Sequence, residues 1–180
     1  MEKINKELFA HLRVEDDDPV WDRFSRMEFA KKQMFTSDKA YLLEDGLIRK
    51  YYIHTPSDID TEISADFYFP GDIFSIPKHD SEGFYESLTH GIAWEITLDE
   101  VKEMFVVNPA CRFVQNYYLR HKLDAAMKRE MLLLKNSPQA LYEYLLKNKP
   151  HYIRNIPLKY LASYIGITPI SLSRIRRRIN

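Results

Sequence analysis

Beyond Glu143 the 180-residue chain has no acidic residue at all, although Lys plus Arg and Asp plus Glu each number 26 overall. Lys147, Lys149, Arg154, Lys159, Arg174, Arg176, Arg177 and Arg178 are eight uncompensated cations, which leaves 18 against 26 carboxylates, a formal −8, in residues 1–143. Such a split points to two modules, of which the basic one suits a polyanion because phosphate contacts are driven by counterion release. Cysteine is nearly missing as well. Cys111 stands alone, which excludes an intramolecular disulfide, a thiolate-ligated zinc site and a cysteine-held iron–sulfur cluster within one chain. No apolar run approaches the roughly 18 to 20 residues that span a bilayer, so no membrane partner is expected. The opening MEKINKELFAHLRVEDDD has neither an apolar core nor a small-residue cleavage site, so it does not read as a secretory signal, and a cytoplasmic location is expected.

Catalytic signatures are equally scarce. GxSxG, the phosphate-binding loop and GxGxxG are missing, and no carboxylate pair sits at helical spacing beside an activated nucleophile. An enzyme is therefore not expected. The six histidines show no HxxxH or HxH spacing, and Asp16-Asp17-Asp18 reads as a solvated run or helix cap, so no metal and no resident cofactor are expected.

What is present changes period along the chain. Residues 1–24 read as one or two short helices with Leu8, Phe9, Leu12, Val20, Trp21 and Phe24 as apolar contacts. From Met27 to Thr97, segments such as MEF, KQMF, AYLLEDGLIRKYYIH, TEISADFYF and AWEIT are short, aromatic and β-branched, with turn formers between them; this predicts an antiparallel barrel or β-roll. LDEVKEMFVV is a short helix, and Asn108-Pro109 then caps a long one from Ala110 to about Lys135. That long helix has two apolar faces: Phe113, Tyr117, Met127, Met131 and Leu134 on one, Cys111, Val114, Tyr118, Ala125 and Leu132 on the other. One face suits the β-roll and the other a second copy of the chain, making residues 110–135 a homodimer helix. Ser137-Pro138 opens a further helix that Pro150 ends. The organisation expected is a β-roll domain with N-terminal helices at 1–109, the dimerisation helix at 110–135 and a basic helical domain at 136–180. In class the fold is α+β.

The end of the chain carries the sharpest pattern. Pro157 is placed to begin a helix in which Leu158, Leu161, Ala162 and Ile165 share one face. Gly166 supplies the left-handed residue that turns the backbone, Ile167 plugs the corner, Thr168 caps the next helix and Pro169 starts it. Leu172, Ile175 and Ile179 recur at i, i+3 and i+7, so Pro169, Ser173, Arg174 and Arg177 point away from the core. This is a helix-turn-helix, whose second helix enters a DNA major groove with its N-terminal half. The other reading open to the residues is a small-ligand-binding β-roll module whose helical tail docks on a protein partner.

The order of elements, ending in IPLKYLASYIGITPISLSRIRRRI, resembles the Crp/Fnr family of bacterial transcription regulators from about Phe24 to Asn180. FYFPGDIF is similar to the family's Gly-acidic turn and LEDGLIRKYY to its glycine hairpin. The resemblance implies a cyclic-nucleotide-binding-like β-roll, a homodimer, double-stranded DNA with a pseudo-palindromic operator as partner, and room for RNA polymerase as a further one. It also implies residue roles. Arg174 matches the arginine that reads guanine; Thr168 and Ser171 match phosphate-contacting positions. Ser173 falls to either role, and Lys159, Arg177 and Arg178 to backbone contact. Pro169 and Ile170 stand where the family has hydrogen-bonding side chains, and Ile170 offers only an apolar contact to a thymine methyl. In the sensor half, Gly71 and Asp72 fit the effector turn and Lys78 supplies charge, but no arginine lies between Lys50 and Cys111 to pair with a cyclic phosphate. Cyclic AMP is accordingly not expected as the ligand, and any effector is an unidentified small molecule.

Overall fold

The computed structural model describes residues 4–12, 14–55, 60–78, 83–107, 109–135 and 137–179, with the backbone alone at 11, 12, 107, 109–115, 117, 118 and 121. Among the described residues two short N-terminal turns lead into seven strands: β1 (Ser25–Phe29), β2 (Lys39–Asp45), β3 (Ile48–His54), β4 (Thr61–Tyr68), β5 (Ile73–Ile76), β6 (Gly83–Ser87) and β7 (Gly91–Thr97). Six α-helices follow: α1 (Leu98–Val107), α2 (Pro109–Leu134), α3 (Pro138–Asn148), α4 (Pro150–Asn155), α5 (Leu158–Ile165) and α6 (Pro169–Ile179). The strands form two sheets, ordered β1-β7-β2-β5 and β4-β3-β6. β7 runs antiparallel to both β1 and β2, as β3 does to β6. The α+β architecture with an N-terminal β-roll is the one expected.

Alternation along β2 and β7 builds two cores from one sheet. Tyr41, Leu43 and Ala93 face the roll interior, where they meet Phe29, Phe35, Ile48, Tyr68, Phe74, Ile76 and Tyr85. Leu42 and Trp94, one residue along, face the other way and pack beneath Ile4, Phe9, Val20 and Trp21, with Met104 and Phe105 of α1 alongside. The N-terminal segment folds there as two 3₁₀ turns, Lys6–Leu12 and Pro19–Arg23, the second capped by the Asp18 carboxylate on the Val20 amide at 2.9 Å. The roll interior is a stack of rings: Tyr41 and Phe74 lie 4.9 Å apart, Tyr68 and Phe74 4.7 Å, and Phe74 and Tyr85 5.9 Å. Burial pushes the Tyr41 hydroxyl's pKa up, while Thr36 bonds it.

One sequence expectation needs correction, and two elements were not anticipated. KQMF is not a strand; it makes a single bridge, Met34 with Glu86, between turns held by Ser87. GFYES, not among the segments expected as strands, is β6. HYIRN, to which the sequence assigned no element, belongs to the helix α4, because a proline at the first helical position forfeits no hydrogen bond: Pro150 ends α3 and begins α4. Asn108, the expected cap of α2, lies outside the described residues.

By compactness the chain divides into two units that cut across chain order. One holds Met1–Tyr52 and Asp66–Tyr118; the other holds Ile53–Ala65, from the β3–β4 hairpin, and Leu119–Asn180. Along the second unit's part of α2, Leu132 is buried and Ala125 half-buried, whereas Leu119, Leu123, Met127, Met131 and Leu134 are exposed. The side chains of Cys111, Phe113, Val114, Tyr117 and Tyr118 lie outside the described residues.

Candidate nucleic-acid interface

A helix that must stop sharply and restart needs its orphaned backbone groups satisfied at the corner. Gly166 does this at φ 82°, ψ 28°: its N–H donates to the Ser163 carbonyl at 3.1 Å and the Ile167 N–H to the Ala162 carbonyl at 3.0 Å. That pair of bonds is a Schellman motif, which requires a residue free to adopt positive φ. Thr168 restarts the chain, its Oγ1 accepting from the Ser171 amide at 3.2 Å and lying 3.0 Å from the Ser171 hydroxyl. Leu172 is then fully buried with Leu161, Ala162 and Ile165, which welds α6 to α5. Pro157 differs from expectation by one position: at ψ 140° it caps α5 and does not begin it.

With Leu172 inside, the outer face of α6 follows from the helical period. Pro169, Ile170, Arg174, Arg177 and Arg178 are exposed, Ser171 and Ser173 are half-buried, and Thr168 and Lys159 are exposed at the turn and on α5. The sequence-derived residues of this region are therefore brought together on one helix-turn-helix. Arg176 is different: it is half-buried, its Nη2 reaches the Ile153 carbonyl of α4 at 3.4 Å, and its buried Nε has no partner among the described residues. One arginine of the cluster thus packs the unit together, and three face outward.

The corner is braced from two directions that sequence reasoning missed. Arg129 of α2 donates through Nη2 to the Tyr164 carbonyl at 2.8 Å and lies 4.2 Å from the Tyr164 ring. A guanidinium there satisfies an orphan carbonyl at the C-terminus of α5 and meets the negative end of its dipole. The same Nη2 reaches the Ser64 carbonyl at 3.3 Å, while the Ser64 amide donates to Ser163 Oγ at 2.9 Å and that hydroxyl bonds the Glu62 carbonyl at 3.1 Å. The edge of β4 is thereby closed by side chains of α2 and α5. An arginine in a long helix and a serine in α5 carry no local mark of these partners, which lie 65 and 99 residues away.

The expected effector residues sit apart in the other unit. Gly71, at φ 92°, donates to the Leu43 carbonyl at 2.8 Å, and a side chain there would meet Leu8 at 3.4 Å. The Asp72 carboxylate accepts from the Phe69 amide of its own turn at 2.9 Å, and the Asp72 carbonyl accepts from Leu43 at 3.0 Å. Lys78 is exposed. It adds to the pull of Lys102, whose hydrogen bond is the main cause holding the Asp99 carboxyl below the usual range. A buried arginine missed by the sequence reading, Arg49, lies 4.4 Å from the Tyr51 ring and 3.9 Å from Glu86. Among the described residues no three His, Cys, Asp or Glu side chains converge as a metal site, and no helix is long and apolar enough to cross a membrane.

No family model and no curated protein matches the sequence. Solved structures do. A CooA mutant from Carboxydothermus hydrogenoformans aligns over 98% of this chain and 85% of its own, with TM-score 0.74 at 16% identity. FixK2 from Bradyrhizobium japonicum aligns over 87% and 84%, with TM-score 0.69 at 16% identity. A regulator assigned to the Crp/Fnr family from Eubacterium rectale aligns over 99% and 83%, with TM-score 0.65 at 15% identity. The chain therefore has the fold of the Crp/Fnr transcription regulators, a β-roll of the cyclic-nucleotide-binding type followed by helices that end in a helix-turn-helix.

Proposed function

We propose that this protein is a homodimeric transcription regulator that binds a pseudo-palindromic site in double-stranded DNA through α6. The observation that carries the reading is the exposure of Arg174, Arg177 and Arg178 on a helix whose opposite face is locked by Leu172 and whose start is fixed by the Gly166 corner. Cations on a preorganised rod suit the phosphates that flank a major groove, with the N-terminal half of the rod facing base edges. Lys159, Thr168 and Ser171 take backbone contacts in this reading, and Ser173 lies between backbone and base. Dimerisation is assigned to α2. Leu119, Leu123, Met127, Met131 and Leu134 leave a stripe of large apolar side chains in water along one helix, and a contiguous stripe of that kind marks an association surface.

The β-roll is read as the sensor, for a ligand other than cyclic AMP. Asp72 is engaged by its own turn, no arginine lies between Lys50 and Cys111, and stacked rings occupy the roll interior. The reading includes no enzymatic activity, a cytoplasmic setting and RNA polymerase as a further partner. Sedimentation and selection from random duplexes test it together: the expected result is a dimer that enriches an inverted repeat with half-sites about one helical turn apart. A monomer, or failure to enrich any duplex, overturns the reading.

A further inference from the structure

Ile170 is the one large apolar side chain exposed on α5 or α6 among their described residues, at 67%. Nothing in the packing of the unit accounts for it, since Leu161, Ile165 and Leu172 already fill the space between the helices. It stands one turn before exposed Arg174 on the same face, in a segment free of carboxylates. The neighbouring hydroxyls are engaged with each other, Thr168 with Ser171 at 3.0 Å. An outward surface with one apolar and one bidentate cationic group one turn apart is chemically narrow.

Resting on the DNA-binding reading above, in which Arg174 reads guanine as the family resemblance implies, we propose that Ile170 determines specificity at a second base by selecting thymine through its C5 methyl. The thymine methyl is the apolar group that base edges offer in the major groove, and isoleucine can neither donate to nor accept from the polar edge of any other base. Arg174 matches guanine O6 and N7 with two parallel N–H donors. Four helical residues advance about 6 Å. Base pairs stack about every 3.4 Å, so the two letters stand about two steps apart in each half-site.

The test selects binding sites from random duplexes with the wild-type chain and with Ile170→Ala, a change at an exposed position. Deoxyuridine, which lacks only the methyl, then replaces each thymine of the wild-type site in turn, and affinity is read by fluorescence anisotropy. At one thymine per half-site the swap is expected to weaken wild-type binding about fourfold, the effect of one buried methyl. Ile170→Ala is expected to ignore the same swap, whereas Arg174→Ala keeps its sensitivity and loses preference for the guanine. Equal wild-type affinity with uracil at every thymine, or the same thymines selected by Ile170→Ala, overturns the inference and leaves DNA binding intact. Selection of no duplex at all sinks the DNA-binding reading and the inference with it.

Discussion

Arg49 and Arg174 place the same guanidinium in opposite settings. Arg49 is fully buried in the β-roll unit, 3.9 Å from Glu86 and 4.4 Å from the Tyr51 ring, whereas Arg174 stands in water on α6. A buried charge is committed to the fold, because removing it leaves its counter-charge in a medium of low polarity. An exposed charge on a rigid helix is committed to nothing within the chain and is free to meet a partner. The glycines repeat the contrast: Gly71 is roofed by Leu8, while a side chain at Gly166 would meet, among the described residues, only Leu133 at 3.6 Å. The same residue type is thus enclosed at one position and open at another, and the second unit holds both kinds, since its Arg129 and Arg176 bond backbone carbonyls.

The largest effect that separates the two regions is expected from Arg49→Ala, which leaves Glu86 without that counter-charge and costs about 3 to 5 kcal/mol of stability. Denaturant melts check it. DNA affinity per folded molecule is expected to be unchanged. Arg174→Ala reverses the pattern, costing about 1 to 3 kcal/mol of specific DNA binding per half-site and relaxing one base position in each, with the melt shifted by less than about 0.5 kcal/mol. Gly166→Ala comes next: the added methyl fits, so the loss is the backbone strain of a left-handed residue, about 1 to 2 kcal/mol, visible in the melt. Smallest is Arg178→Ala, expected to weaken all sequences alike and to lower the salt slope by about two, one phosphate contact from each copy in the dimer. Equal and uniform losses for Arg174→Ala and Arg178→Ala contradict the roles assigned to them.

The helix-turn-helix was legible because its determinants are local. A glycine at the corner, a threonine cap, a proline at the first helical position and apolar residues at i, i+3 and i+7 each act within a few residues, and the structure uses every one of them. The short helix α4 was hidden by the double role of Pro150, since proline stops one helix for the same reason that it starts another. Arg49 was overlooked because the sequence offers no sign that an arginine in a strand next to Lys50 is wholly enclosed. The brace of Arg129, Ser64 and Ser163 was unreadable for a different reason: it joins groups far apart in the chain through backbone carbonyls and an amide, which every residue owns. Sequence pattern marks side chains that share a face, and it is silent on which backbone groups a distant side chain will satisfy.

The account stands or falls on whether the arginines of α6 neutralise phosphates. Affinity for a selected duplex, measured by anisotropy from 50 to 200 mM salt, tests this most directly. With about six to ten phosphate contacts from two recognition helices it is predicted to fall by roughly 10³ to 10⁵; affinity that stays level across that range would contradict it.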